Sequence, residues 1–182
     1  TWKVDGKTYF NERPISTQQS AFVMVSQMRS QLPDYVGGVL WFGCDDANMM
    51  AFTPVYCCTD WVPEGYSDKV ADDLHFSFKS AFWVCNWVSS IVYPRYSQLF
   101  GELKTVRDRL GTDYNTLQEK TEKEAMALAG MEGEGMSAAR KYLTAYTNRT
   151  AAGMLYEWME LGKRLMVKYI DGTVRPERDG QY

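Results

Sequence analysis

Apolar and polar positions alternate on two different scales along the chain. From Trp2 to Cys58 the apolar residues come in short runs broken by turn formers; from Phe78 onward they recur at helical spacing. Trp2-Lys3-Val4 and Thr8-Tyr9-Phe10 flank Asp5-Gly6, a pair that favours a type I′ hairpin. Asn11 to Pro14 reads as a turn. Ala21 to Met28 is mostly apolar with β-branched and aromatic members, which predicts a buried strand. Pro33-Asp34 marks a loop. Gly37-Gly38 leads into Val39-Leu40-Trp41-Phe42-Gly43, apolar on both faces, so an interior strand covered on two sides is expected. Asp45-Asp46-Ala47-Asn48 is a turn. Met50 to Cys58 reads as a further strand, in which Pro54 marks an edge, a bulge or a bend. Pro63 to Asp73 is a polar loop.

The second half predicts helices. Phe78 to Tyr93 carries apolar groups around most of its circumference, as a buried helix does, and Pro94 ends or bends it. Tyr96 to Ala129 is amphipathic, with Leu99, Leu103, Val106 and Leu110 on one stripe; Lys120 to Glu124 reads as its solvated face. Met131 to Gly135 is a glycine-broken link. A short helix from Ser137 to Tyr146, with Ser137 as N-cap, and a separate helix from Asn148 to Tyr169 follow. Asp171-Gly172 stops the last helix, and Arg175 to Tyr182 reads as a frayed tail. Strands followed by helices predict an α+β domain, a sheet packed against helices. Residues 1–78 are mainly strands, 79–172 mainly helices and 173–182 a tail. One helical layer covers one face of the sheet. The other face needs a second sheet or a partner segment, so the 182 residues read as a single portion of a larger domain.

Charge and composition narrow the chemistry. Twenty Lys and Arg against 23 Asp and Glu leave a net charge of −3, without the basic excess a nucleic-acid partner requires. The uncharged stretch from Ser80 to Pro94 is too short to span a membrane. The single histidine, His75, leaves no second imidazole for two-His zinc sites or His-rich iron sites, and no metal or cofactor is expected. His75 itself reads as a solvated or capped loop residue, with a catalytic base as the alternative. The four cysteines, Cys44, Cys57, Cys58 and Cys85, form no C-x-x-C pair. Cys44, Cys57 and Cys85 sit in apolar surroundings and are expected as buried free thiols.

Several strings, in order along nearly the whole chain, resemble the dipeptidase A and secernin family of N-terminal-nucleophile cysteine peptidases, especially its bacterial, Bacteroidetes-like version. They are Asn11-Glu12-Arg13-Pro14-Ile15-Ser16-Thr17, Val25-Ser26-Gln27-Met28-Arg29, Gly37-Gly38-Val39-Leu40-Trp41-Phe42-Gly43 and Thr53-Pro54-Val55-Tyr56-Cys57. Ser80-Ala81-Phe82-Trp83-Val84 and Leu165 to Gly172 look similar too. In that family these segments resemble the carboxy-terminal part of a much longer chain. The resemblance implies a four-layer αββα sandwich and hydrolysis of dipeptide amide bonds. It also implies a processed amino-terminal cysteine whose own α-amino group, with an ordinary pKa of about 8, acts as general base. Such chemistry needs no histidine. The nucleophile segment has no match here, so no catalytic residue is assigned and the chain alone is expected to be inert. Thr1 opens an internal-looking hairpin rather than a nucleophile strand.

Candidate substrate-binding residues are Gln27, Arg29, Asp45 and Asn86. Gln27 and Arg29 end a strand, and Arg29 could hold a substrate carboxylate in bidentate fashion; a structural arginine is the alternative. Asp45 and Asp46 follow another strand and could bind a free substrate amine, or simply form a turn or cap. Asn86 lies in an apolar helix and needs a hydrogen-bond partner if buried. Trp61 and Tyr66 are loop aromatics that could meet a ligand. Asn148-Arg149-Thr150 fits a glycosylation sequon but is read as an N-cap. The expected partners are a dipeptide or small amide and the amino-terminal remainder of the same protein; a homo-oligomer stays open. A non-catalytic binding or structural module is the runner-up, and an amidase using an internal cysteine with His75 is a third reading.

Overall fold

The computed structural model of the chain describes residues 1–10 and 14–177. Most of the expected Asn11–Pro14 turn, and the tail beyond Glu177, lie outside the described residues. Strands β1 (Trp2–Val4) and β2 (Lys7–Tyr9) form the expected antiparallel hairpin. Asp5 and Gly6 have φ of 50° and 75°, as a type I′ turn requires. A second, three-stranded antiparallel sheet has the order β3 (Phe22–Met28), β4 (Gly38–Cys44), β5 (Thr53–Tyr56). Pairing of Gln27 with Val39 and of Val39 with Tyr56 fixes its register. The loop expected at Pro33-Asp34 is a single turn of helix, α1 (Asp34–Gly37), closed by hydrogen bonds from Val36 and Gly37 to the Pro33 carbonyl.

Helix α2 (Ala81–Val92) starts at the Ser80 hydroxyl, which accepts from the Trp83 amide. A 3₁₀ turn over Tyr93–Arg95 carries Pro94 where no helical N–H is needed. Helix α3 (Tyr96–Ala129) and helix α4 (Gly135–Lys168) fold back on each other across the Gly130–Glu134 link. The two helices expected at 137–146 and 148–169 are therefore one. Neither Ser137 nor Asn148 is a cap: Asn148 Nδ2 donates to the Thr144 carbonyl within the helix. The polar residues that suggested a break have work to do there. The Thr147 hydroxyl accepts from the Tyr56 amide at the open edge of β5, and the Thr144 hydroxyl accepts from the Asp60 amide. Asn148, bonded along its own helix beside buried Thr150, offers no surface-loop sequon. Asp171 and Gly172, at φ of 56° and 73°, end the helical segment as expected.

The α3–α4 hairpin packs on the sheet face at Gln27, Val39, Trp41 and Tyr56, while Val25 on the edge strand of that face is 53% exposed. Val39 and Tyr56 pack with Ala125, Leu143 and Tyr146, while α2 joins Leu99, Leu103, Met154 and Trp158 in the larger core. Gly162 on α4 lets Trp87 approach: a Cβ there would sit 2.2 Å from the indole ring. Gly162→Ala is expected to cost about 1–3 kcal/mol through overpacking, against the usual gain of alanine in a helix, and a denaturant titration checks it.

The opposite face differs from the sequence expectation. β3 is not a buried strand but an exposed sheet edge: Phe22 and Met24 are each 56% exposed and Met28 is 64% exposed. With half-buried Leu40, Phe42 and Val55 they form one apolar surface. Tyr66, edge-on against Phe42 at 5.0 Å, and the Trp61–Pro63 segment border part of it. The strand expected from Met50 to Cys58 shortens to Thr53–Tyr56, because the chain turns at Cys57-Cys58, closed by the Thr59 amide on the Tyr56 carbonyl.

Candidate functional site

The residues singled out from sequence fall into two groups at opposite ends of β4. Gln27 pairs with Val39, whereas Asp45 follows Cys44; six residues of strand separate them by about 20 Å.

At the first end, Gln27 Oε1 accepts from Trp41 Nε1 (3.1 Å) and Gln118 Nε2 (2.8 Å), so its amide joins the sheet to α3. Arg29 presents its guanidinium to Glu122 in bidentate fashion, at 2.9 and 2.5 Å, and donates to the Val36 carbonyl at 2.7 Å. Tyr56 OH donates to the same carboxylate. The side chains of Arg29 and Glu122 are 17% and 7% exposed. The fork that could grip a substrate carboxylate thus holds a carboxylate of the protein. Glu122 and Thr121 are buried, so the Lys120–Glu124 tract is not wholly a solvated face.

At the second end, the turn after β4 brings two carboxylates fully out of solvent. Asp45, at φ 74°, accepts from Ser89 Oγ (2.5 Å) and Asn86 Nδ2 (3.1 Å) on α2. Asn86 thereby gains the partner its place in an apolar helix demands. Asp46 accepts from the hydroxyls of Ser16 and Tyr93 and from the Asn48 amide. Asn48 in turn is held by Arg107 through its backbone carbonyl and its side chain. Asp45, Asp46 and Asn86 are brought together; Gln27 and Arg29 are not. Ser16, Asn48, Ser89 and Tyr93 complete the cluster. Ser89 and Tyr93, three and seven residues after Asn86, were signalled by helical spacing; Ser16 and Asn48 carried no such signal.

Burial raises the Asp45 carboxyl above the usual carboxylate range, and the hydrogen bonds from Ser89 and Asn86 oppose that shift. The folded state therefore holds the proton more tightly than the unfolded one. The resulting penalty is absent below the ordinary Asp value of 3.8 and grows as pH rises through the raised folded value. Asp45→Asn keeps a side chain suited to positive φ and removes the charge. The variant is expected to be more stable than the parent at pH 7, with the difference shrinking toward pH 4; paired denaturant titrations at those pH values check it.

Three of the four cysteines carry thiols raised by burial. Burial, with help from Asp45, pushes the Cys44 thiol up to about 12, and burial holds Cys85 well above its ordinary value. Cys57, expected as buried, is exposed. It follows the short edge strand β5, and its sulfur lies over Gly38, 3.0 Å from where a Cβ would stand. Cys58 is half-buried and its thiol is raised by desolvation. His75 Nδ1 pairs with Asp72 at 2.8 Å, and its side chain is 78% exposed. It caps a surface loop, as the solvated reading supposed. Tyr66 is half-buried and hydrogen-bonds Thr53 at 2.7 Å, while Trp61 is exposed beside an apolar hollow of about 420 Å³ on the opposite sheet face.

Among the described residues no three His, Cys, Asp or Glu side chains gather in a way that could hold a metal ion. No described helix is long and apolar enough to cross a membrane. No curated protein matches the chain. The profile of peptidase family C69 matches residues 3–109, from the first hairpin to the middle of α3 and including both carboxylates of the Asp45-Asp46 turn. More than half of the 182 residues lie within that match, and the chain belongs to peptidase family C69.

Proposed function

We propose that the chain is the carboxy-terminal part of a cysteine dipeptidase, with an amino-terminal nucleophile cysteine carried on polypeptide upstream of Thr1. The observation that carries this reading is the apolar surface of Phe22, Met24, Met28, Leu40, Phe42 and Val55 in a member of a peptidase family. An exposed apolar patch of this kind on one side of a sheet is the usual mark of a surface that meets a partner segment. A second sheet laid on that surface gives a four-layer αββα arrangement. The burial-raised thiols of Cys44, Cys58 and Cys85 and the surface position of His75 agree with a nucleophile elsewhere. In this reading the Asp45–Asn86 cluster braces the end of β4 nearest the cleft, and a substrate's charged ends meet groups at the rim of the two sheets.

The test replaces all four internal cysteines, Cys44→Val, Cys57→Ser, Cys58→Ser and Cys85→Ala, in the complete polypeptide. Dipeptide hydrolysis is expected to survive the replacement and to remain sensitive to thiol alkylation. Activity lost with Cys57→Ser alone, in a folded protein, would transfer the chemistry to an internal thiol.

A further inference from the structure

A groove of about 540 Å³ runs between α3 and α4. Its floor is Gly153, where an added Cβ would meet nothing within 4 Å. Leu117 and the 60%-exposed ring of Tyr156 form apolar walls. Tyr114, buried, donates its phenol to the Thr150 carbonyl and closes the base.

The two ends of the groove carry opposite, unmatched charge. At one end Arg149 lies over the Tyr146 ring, its guanidinium carbon 5.7 Å from the centroid. Among the described residues Arg149 has no ion-pair partner. At the other end Glu157 and Asp113 share the single guanidinium of Arg109, at 2.8 and 3.6 Å, which leaves one negative charge in excess. Arg149 and Glu157 are eight residues apart on α4, about 12 Å along the axis and little more than two turns. An extended tripeptide spans about 10 Å between its charged ends.

We infer that this groove binds a short zwitterionic peptide, with its carboxylate on Arg149, its ammonium toward Glu157 and Asp113, and an apolar side chain over Gly153. A guanidinium free of any protein carboxylate is suited to bidentate capture of a terminal carboxylate. The paired requirement for both charges excludes long polypeptides, whose ends are far apart. The site lies on the helical layer, separate from the uncovered sheet face and from the Asp45 turn, and it stands whether or not the nucleophile is upstream.

The probe is the tripeptide Gly-Leu-Gly, titrated into the complete, isotope-labelled polypeptide with any turnover silenced by thiol alkylation. The readout is the amide shifts of Gly153 and Arg149, which report this groove and not the sheet face. Saturable shifts are expected, weakened about tenfold or more by acetylating the amino end or amidating the carboxyl end. Gly153→Leu fills the groove at an open helical position and is expected to abolish them. Arg149→Gln is expected to weaken the free acid while leaving the carboxamide peptide unchanged, a readout that also holds if Gly153→Leu fails to fold. No saturable shift up to about 10 mM peptide, or shifts indifferent to end-capping and to Arg149→Gln, would overturn the assignment.

Discussion

Arg29→Ala is expected to destabilise the protein by about 3–5 kcal/mol, the largest effect of any single surface-to-core contact described above. The variant leaves Glu122 buried, with only the Tyr56 hydroxyl to offset its charge, and it strands the Val36 carbonyl. The cost arises from the orphaned carboxylate more than from the lost pair. The double variant Arg29→Met with Glu122→Leu, which removes both charges and keeps volume, is expected to recover most of the loss. Denaturant midpoints of the two variants measure this directly. A substrate-binding arginine would behave differently: Arg29→Ala would raise KM for dipeptides and leave the midpoint in place.

The second large effect concerns the uncovered sheet face. Met24→Lys is expected to change the stability of the 182-residue chain by no more than about 0.5 kcal/mol, because the side chain is already 56% exposed. If a second sheet covers this face, as proposed, the same substitution in the complete peptidase would place an unpaired ammonium between two sheets, and loss of active enzyme is expected. Met166→Lys, at another exposed methionine on α4, serves as the control and is expected to leave turnover unchanged. Comparison of the isolated chain with the complete protein separates an interface from an ordinary surface: an interface residue is silent in one and disruptive in the other.

What was legible in the sequence was local. Asp5-Gly6 specified its hairpin, Ser80 and Pro94 bracketed α2, and the apolar stripe of α3 had the right bounds, since each signal acts within a turn or two of its own position. The strings around Gly37–Gly43 and Thr53–Cys57 carried the family. Other features depended on partners remote in sequence. Glu122 looked solvated in a run of charges, and Arg29, 93 residues away, together with the Tyr56 hydroxyl, draws it inward. Asn148 looked like a cap that broke α4 because its amide favours such positions; the helix instead runs through it, and neighbouring Thr144 and Thr147 accept from the Asp60 and Tyr56 amides. Asp45 and Asn86 were both visible as candidates, but their hydrogen bond, across 41 residues, was not. Periodicity made Ala21–Met28 look buried, since an apolar strand reads the same whether its cover is present or supplied by another segment.

The most direct test is dipeptide hydrolysis by the 182-residue chain alone, set beside the same chain joined to the upstream nucleophile segment proposed for it. The account predicts no turnover from the isolated chain and thiol-dependent turnover from the joined one. Peptide-bond cleavage by the purified chain by itself, abolished by alkylating its own cysteines, would contradict it.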